Sequence, residues 1–139
     1  MVKLTSEILE DIQNTKILPL STCSLDHIPN VVPIGIFEID TSCDEKDFIY
    51  IMNNFFLKTM NNILENPLVS FYVLGKEIKR CTQIKGKVIE ILQKGEIYDK
   101  YKQKYLSRIP SLPCKHILKI EIISVYNCKS GSDAGKKIL

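Results

Sequence analysis

The chain has 139 residues, the usual size of one domain, and 45% hydrophobic with 25% charged residues is ordinary globular composition. A net charge of +3, with scattered lysines and no tryptophan, gives no footing to a nucleic-acid binder. No stretch is long and apolar enough to span a membrane, and the N-terminus MVKLTSEILEDIQ has no signal-peptide core, so a cytoplasmic protein is expected. The cysteines, Cys23, Cys43, Cys81, Cys114 and Cys128, are odd in number and never form a CxxC pair. Neither a disulfide framework nor a zinc site is expected; most should be small buried apolar residues.

Thr5 predicts the cap of a first helix over Ser6–Asn14, with Ile8, Leu9 and Ile12 as its apolar face. Lys16–Ser24 reads as a strand, LDHIP as a turn, and Asn30–Ile39 as a second strand. Pro33 and Gly35 inside that strand are unusual. They suggest an edge, a bulge, or a ligand lying against the backbone. Phe48–Met52 reads as a third strand.

The segment NNFFLKTMNNILENP then turns from strand into a helix over Thr59–Glu65, which stops before Pro67 because Asn66 is pushed out of the helical region. LVSFYVLG reads as a fourth strand and Arg80–Leu92 as a fifth. Gly95–Ser107 reads as a helix with Ile97, Tyr101 and Tyr105 at spacing four. His116–Cys128 alternates as a sixth strand. The tail KSGSDAGKKIL carries no core pattern. Strands joined mostly by short turns predict one mainly β domain over 1–139, a largely antiparallel barrel with peripheral helices.

Lys58 and Thr59 stand where a strand gives way to a helix. The first amides of a helix are unpaired and partly positive, so a cation and a hydroxyl there complete an anion site suited to phosphate. The alternative is a surface lysine beside an N-cap threonine. Asn53 and Asn54 are turn formers, or amides that bond a heteroaromatic ring. Gln83, in TQIKG, faces solvent or bonds something specific. His27 and His116 are isolated, and no hydrolytic arrangement is present.

In this order the segments LSTCSLDHIPNVVPIG, IMNNFFLKTMNNILENPLVSFYV, TQIKGKVIEI and GSDAGKK resemble the pyridoxamine phosphate oxidase-like, FMN-binding split-barrel proteins over nearly the whole chain. The resemblance implies a six-stranded antiparallel split β-barrel and a homodimer with FMN between the subunits. It places Lys58 and Thr59 on the FMN phosphate. Val32, Pro33 and Ile34 fall beside the flavin ring, with Met52 and Asn53 against it and Gln83 at a polar position reaching the cofactor. The tail from Gly131 to Lys137 is expected over the partner's site.

Three departures stand out. His27 occupies a turn position where glycine is usual. Thr82 replaces an aromatic residue before QIKG, which opens space near the flavin or changes the packing. The longer C-terminal strand region that holds substrate in true pyridoxamine phosphate oxidases is lacking, so vitamin B6 oxidation is not expected. The implied activity is FMN-dependent oxidoreduction or flavin reduction with a reduced nicotinamide or similar donor. A non-enzymatic FMN electron carrier, or a split-barrel module binding haem or a deazaflavin, is the alternative. No metal, nucleic acid or membrane is expected, and no catalytic acid or base is assigned because the flavin supplies the redox chemistry.

Overall fold

A computed structural model describes residues 1–139. The elements are α1 (Ser6–Gln13), β1 (Leu18–Cys23), β2 (Pro29–Ile34), β3 (Phe37–Asp40), β4 (Phe48–Asn53), α2 (Lys58–Glu65), β5 (Leu68–Leu74), β6 (Cys81–Leu92), α3 (Glu96–Leu106) and β7 (His116–Asn127). All seven strands join one antiparallel sheet in the order β2-β1-β5-β6-β7-β4-β3.

That order forces the sheet to roll. β2 and β3 are its two edges, yet only Gly35 and Ile36 separate them. Six inter-strand spacings would hold flat edges about 29 Å apart. The three Cα steps from Ile34 to Phe37 reach about 11 Å at most. The sheet therefore curls into a barrel that is split between β2 and β3 and tied across the split by its own chain. This also corrects the strand count from six to seven. Asn30–Ile39, expected as one strand, breaks at Gly35 because its first half pairs with β1 and its second with β4.

The barrel interior holds 19 buried apolar residues, among them Leu18, Leu20, Ile49, Ile51, Phe71, Ile84, Leu118 and Ile120. A second cluster, with Tyr50, Met52, Tyr98, Tyr101, Cys114 and Ile117, forms around α3. β4 is buried at all six positions because it serves both cores: Ile49 and Ile51 face the barrel while Tyr50 and Met52 belong to the second cluster. In α3 the buried residues are Tyr98 and Tyr101, with Tyr105 half-buried; Ile97, expected on that face, is exposed.

Local chemistry sets the ends of the elements. Thr5 caps α1 through its side chain, which accepts from the Ile8 N–H. Asp11, 3% exposed, anchors α1 by a two-pronged bond from Arg80, at 2.8 and 2.7 Å, at the start of β6. Asn66 is extended before Pro67, as the sequence predicts. His27 adopts φ 63°, so the first hairpin keeps the left-handed residue that glycine would supply.

One further expectation is corrected. Among the cysteines only Cys114 is buried; Cys23, Cys43 and Cys81 are half-buried and Cys128 is exposed. On β1 and β6 the inward positions beside Cys23 and Cys81 belong to Thr22 and Thr82, which turns those thiols outward. The tail pairs along β7 of its own chain. Beyond Glu121, β7 has no β4 residue beside it. The tail fills that edge: Ile138 N–H donates to the Val125 carbonyl at 2.7 Å, and Asn127 N–H to the Lys136 carbonyl at 2.9 Å. None of the three helices is long and apolar enough to cross a membrane.

Candidate functional site

The split that the topology creates is also where a cavity opens. About 500 Å³ lies between the end of β2, the Gly35–Ile36 crossing, the end of β4 and the start of α2. That volume suits a small-molecule ligand, and eight of its thirteen lining residues are hydrophobic. Val32, Pro33 and Ile34 form one wall, Met52 and Phe56 another, and Lys58 and Thr59 stand at one end.

Why the chain turns as it does between β4 and α2 is visible in two asparagines. Asn53, 1% exposed, accepts the Phe56 N–H on its Oδ1 at 2.9 Å, while its Nδ2 lies 2.9 Å from His116 Nδ1. Asn54 Oδ1 accepts the Cys114 N–H at 3.0 Å. Asn53 therefore acts as a turn former, while Asn54 ties the turn to the segment before β7. Both ends of the Asn53 amide are bonded inside the chain, whereas Asn54 also lines the cavity. Because Phe56 donates to Asn53 Oδ1, the Asn53 amide nitrogen donates to His116, whose Nδ1 must accept and so carries no proton. Burial, and then the charge of Lys115, push His116 below its ordinary pKa and favour that neutral ring.

The start of α2 is left open. Leu57 holds the cap position with φ −120° and ψ −78°, and no side chain caps the helix. The backbone N–H groups of Lys58, Thr59 and Met60 find no acceptor in the chain. Thr59 is thus inside the helix rather than its cap. The residue is 2% exposed, and its hydroxyl accepts from Asn30 Nδ2 at 3.0 Å. Lys58 is exposed and in no ion pair. The residues that hold α2 in place were not singled out from the sequence. Thr22 Oγ1 accepts from Asn62 Nδ2 at 3.0 Å and from Asn30 at 3.3 Å, so β1, β2 and α2 share one polar knot. Spaced Asn and Thr residues give no signal of this until the hairpin is folded.

Of the eight site residues expected from the sequence, six line the cavity: Val32, Pro33, Ile34, Met52, Lys58 and Thr59. Asn53 lies behind it. Gln83 lies elsewhere, on the outer face of β6 between Tyr72 and Tyr126, because its neighbours Thr82 and Ile84 point into the barrel. Thr82 is a core residue and does not line the cavity. Gly35, Ile36, Phe55, Phe56, Leu57 and Leu112 complete much of the lining. Phe55 and Leu57, at 76% and 73% exposure, form an apolar rim.

Neither histidine lines the cavity. His27 sits on the β1–β2 turn, and His116 is held at Nδ1 by Asn53, with its Nε2 3.0 Å from the Gln93 side-chain amide. No group of three His, Cys, Asp or Glu side chains is arranged to hold a metal ion. The arrangement offers an apolar slot ending in a full positive charge, a hydroxyl and three unpaired amides. Such an arrangement suits an apolar group that carries an anion at one end.

Comparison with known proteins agrees with this architecture. The chain is 35% identical over 139 residues to an uncharacterized protein of Methanocaldococcus jannaschii, covering 99% of this chain and 89% of that one. HupZ of Group A Streptococcus superposes with a TM-score of 0.74 at 22% identity, covering 96% of this chain and all of HupZ. An FMN-binding protein of Syntrophomonas wolfei also gives 0.74 at 22% identity, covering 90% and 88% of the two chains. The family model for pyridoxamine 5'-phosphate oxidase matches residues 4–129. The rolled sheet, its split and its near-complete coverage by that model place the chain in the pyridoxamine 5'-phosphate oxidase family.

Proposed function

We propose that this protein is a cytoplasmic FMN-dependent oxidoreductase or flavin reductase that works as a homodimer. One observation carries the reading: a single cavity joins the apolar walls of Val32, Ile34 and Met52 to an unpaired Lys58 at an uncapped helix start. The ring system of FMN fits along the walls and its phosphate at Lys58, Thr59 and the α2 amides. Bound FMN would accept and pass on hydride or single electrons, with a reduced nicotinamide as donor. The protein's part is to hold, orient and shield it. The exposed rim of Phe55 and Leu57 supports a second copy closing over the cavity mouth. Gln83, remote from the cavity of its own chain, would reach flavin only from the partner.

Haem fits less well, since no histidine lines the cavity to serve as an axial ligand. A deazaflavin with an anionic tail beyond its phosphate meets Asp26 and Glu65 in the polar groove past Lys58. FMN, which ends at the phosphate, avoids them. The test is the visible spectrum of purified protein, followed by FMN titration, sedimentation equilibrium and steady-state NADH and NADPH oxidation. A flavin spectrum, submicromolar FMN affinity and a dimer support the reading, and turnover of nicotinamide distinguishes an enzyme from an electron carrier. Protein that neither carries nor binds flavin overturns it.

A further inference from the structure

We propose that Cys81 and Cys128 form a reversible redox pair, closing to a disulfide across the β6–β7 ladder on contact with a low-molecular-weight disulfide and reopening in excess thiol. The register places Thr82 opposite Asn127, so the next pair outward is Cys81 and Cys128. Cys128 N–H donates to the Cys81 carbonyl at 2.7 Å, which makes this a hydrogen-bonded antiparallel pair. Such pairs hold their Cα atoms about 5.5 Å apart with both side chains on one face. Disulfides span Cα separations of roughly 4.4 to 6.8 Å, so the pair is within reach and closure draws the two Cβ atoms together by about 1 Å at this end of the ladder.

The Cys128 thiol is near enough to Cys81 to help raise its pKa, behind the larger effect of burial. Cys128 is exposed and Cys81 half-buried, so one is accessible to a small reagent and the other waits behind it. The remaining cysteines have no such neighbour: Cys23 faces Pro29 across its ladder, Cys43 is in the β3–β4 loop, and Cys114 precedes β7.

The exchange runs in two steps. The Cys128 thiolate attacks one sulfur of the small disulfide, forming a mixed disulfide and expelling one thiolate. The Cys81 thiolate then attacks the Cys128 sulfur and expels the second. Two protein thiols lose two electrons and two protons, and the reagent gains them as two thiols. Burial, with the neighbouring Cys128 thiol, pushes Cys81 up to about 11. Closure is therefore slow at neutral pH and accelerates as pH rises. Cys128 is also the first residue of the returning tail, so the bond would tether that tail to β6.

The test treats the native full-length protein with oxidised glutathione at pH 8, alkylates remaining thiols, digests, and reads peptides by mass spectrometry. Expected is a linked Cys81–Cys128 peptide, with free thiols falling from the sequence's five cysteines by the two that join, and full reversal by dithiothreitol. Cys81→Ser should instead trap Cys128 as a stable glutathione adduct. Persistent glutathione on Cys128 in the unsubstituted protein, linkage of any other cysteine pair, a disulfide between two chains, or no oxidation at all would each overturn the proposal. No flavin enters the assay, so its outcome is independent of the proposed cofactor.

Discussion

Asn30 on β2 donates a side-chain N–H to Thr59 Oγ1 on α2 at 3.0 Å. The bond occupies an acceptor site of the Thr59 hydroxyl and leaves its hydrogen as the group to offer outward. A buried hydroxyl held this way is a poor acceptor and a ready donor, which suits an anion. Asn30→Ala leaves the Thr59 oxygen without its donor and removes one of two bonds to Thr22. The expected loss is about 1–3 kcal/mol of stability, read as a lower urea midpoint, together with weaker FMN binding. A variant that keeps both its midpoint and its FMN affinity would show that the polar knot does not position α2.

Lys58→Ala removes the one full charge at the end of the cavity. A hydrogen bond to a charged group contributes roughly 1.5–3 kcal/mol, so FMN affinity should fall about ten- to a hundred-fold. Riboflavin, which lacks the phosphate, should bind wild type more weakly and respond little to the substitution. Fluorescence titration of both ligands into both proteins gives the four numbers. Equal weakening of the two ligands, or of neither, removes the phosphate from Lys58.

The Asn53–His116 contact predicts a pH dependence of stability. The His116 pKa is lowered in the folded chain from its ordinary value of 6.5. Between the folded value and 6.5 the unfolded chain binds more protons, so stability rises with pH through that window. The contribution is fully present above about 6.5 and is lost as pH falls toward the folded value, when a second N–H on the ring would confront the Asn53 amide. Unfolding free energies of wild type and His116→Gln should differ by a constant amount above that window and converge below it. A difference that stays constant down to pH 4 would mean that His116 does not titrate against folding.

Gly86 and Gly35 should respond in opposite ways to alanine. A Cβ on Gly86 would stand 2.5 Å from Ile120 Cγ2 and 3.1 Å from the Glu121 carbonyl oxygen, inside the β6–β7 ladder. Overpacking of this kind costs about 1–3 kcal/mol. At Gly35 the nearest atom is Ile17 Cδ1 at 3.8 Å, an ordinary contact, so stability should hold. Thermal melts of the two variants decide it; equal loss in both would contradict the packing described at the crossing.

The sequence made the strands of the barrel legible because alternation survives wherever one face meets the core, as in β5 and the first half of β6. Lys58 and Thr59 were legible because a cation and a hydroxyl at a strand-to-helix junction have a local physical meaning. What escaped notice was long-range. The break at Gly35 exists because β2 and β3 find partners at opposite ends of the sheet, and no window of ten residues contains that fact. The burial of Tyr98 over Ile97 depends on the tyrosine's hydroxyl reaching the Cys114 carbonyl at 2.7 Å, sixteen residues away. Gln83 likewise owes its remoteness from the cavity to strand parity, which only the register fixes.

The split barrel leaves two open strand edges, and the one on β2 is nearly mute. Pro19 faces Pro33, and two prolines cannot exchange hydrogen bonds, so this must be a non-bonded position of the β1–β2 ladder. By alternation, Pro29, Val31 and Pro33 are the residues whose backbone nitrogens point away from β1. Two of those three carry no hydrogen. A foreign strand arriving at β2 would find a single donor, at Val31, while β3 on the other edge is only four residues long. Proline and brevity are the usual guards against edge-to-edge aggregation. The chain can therefore hold its ligand cleft open without offering a template for uncontrolled β-sheet growth.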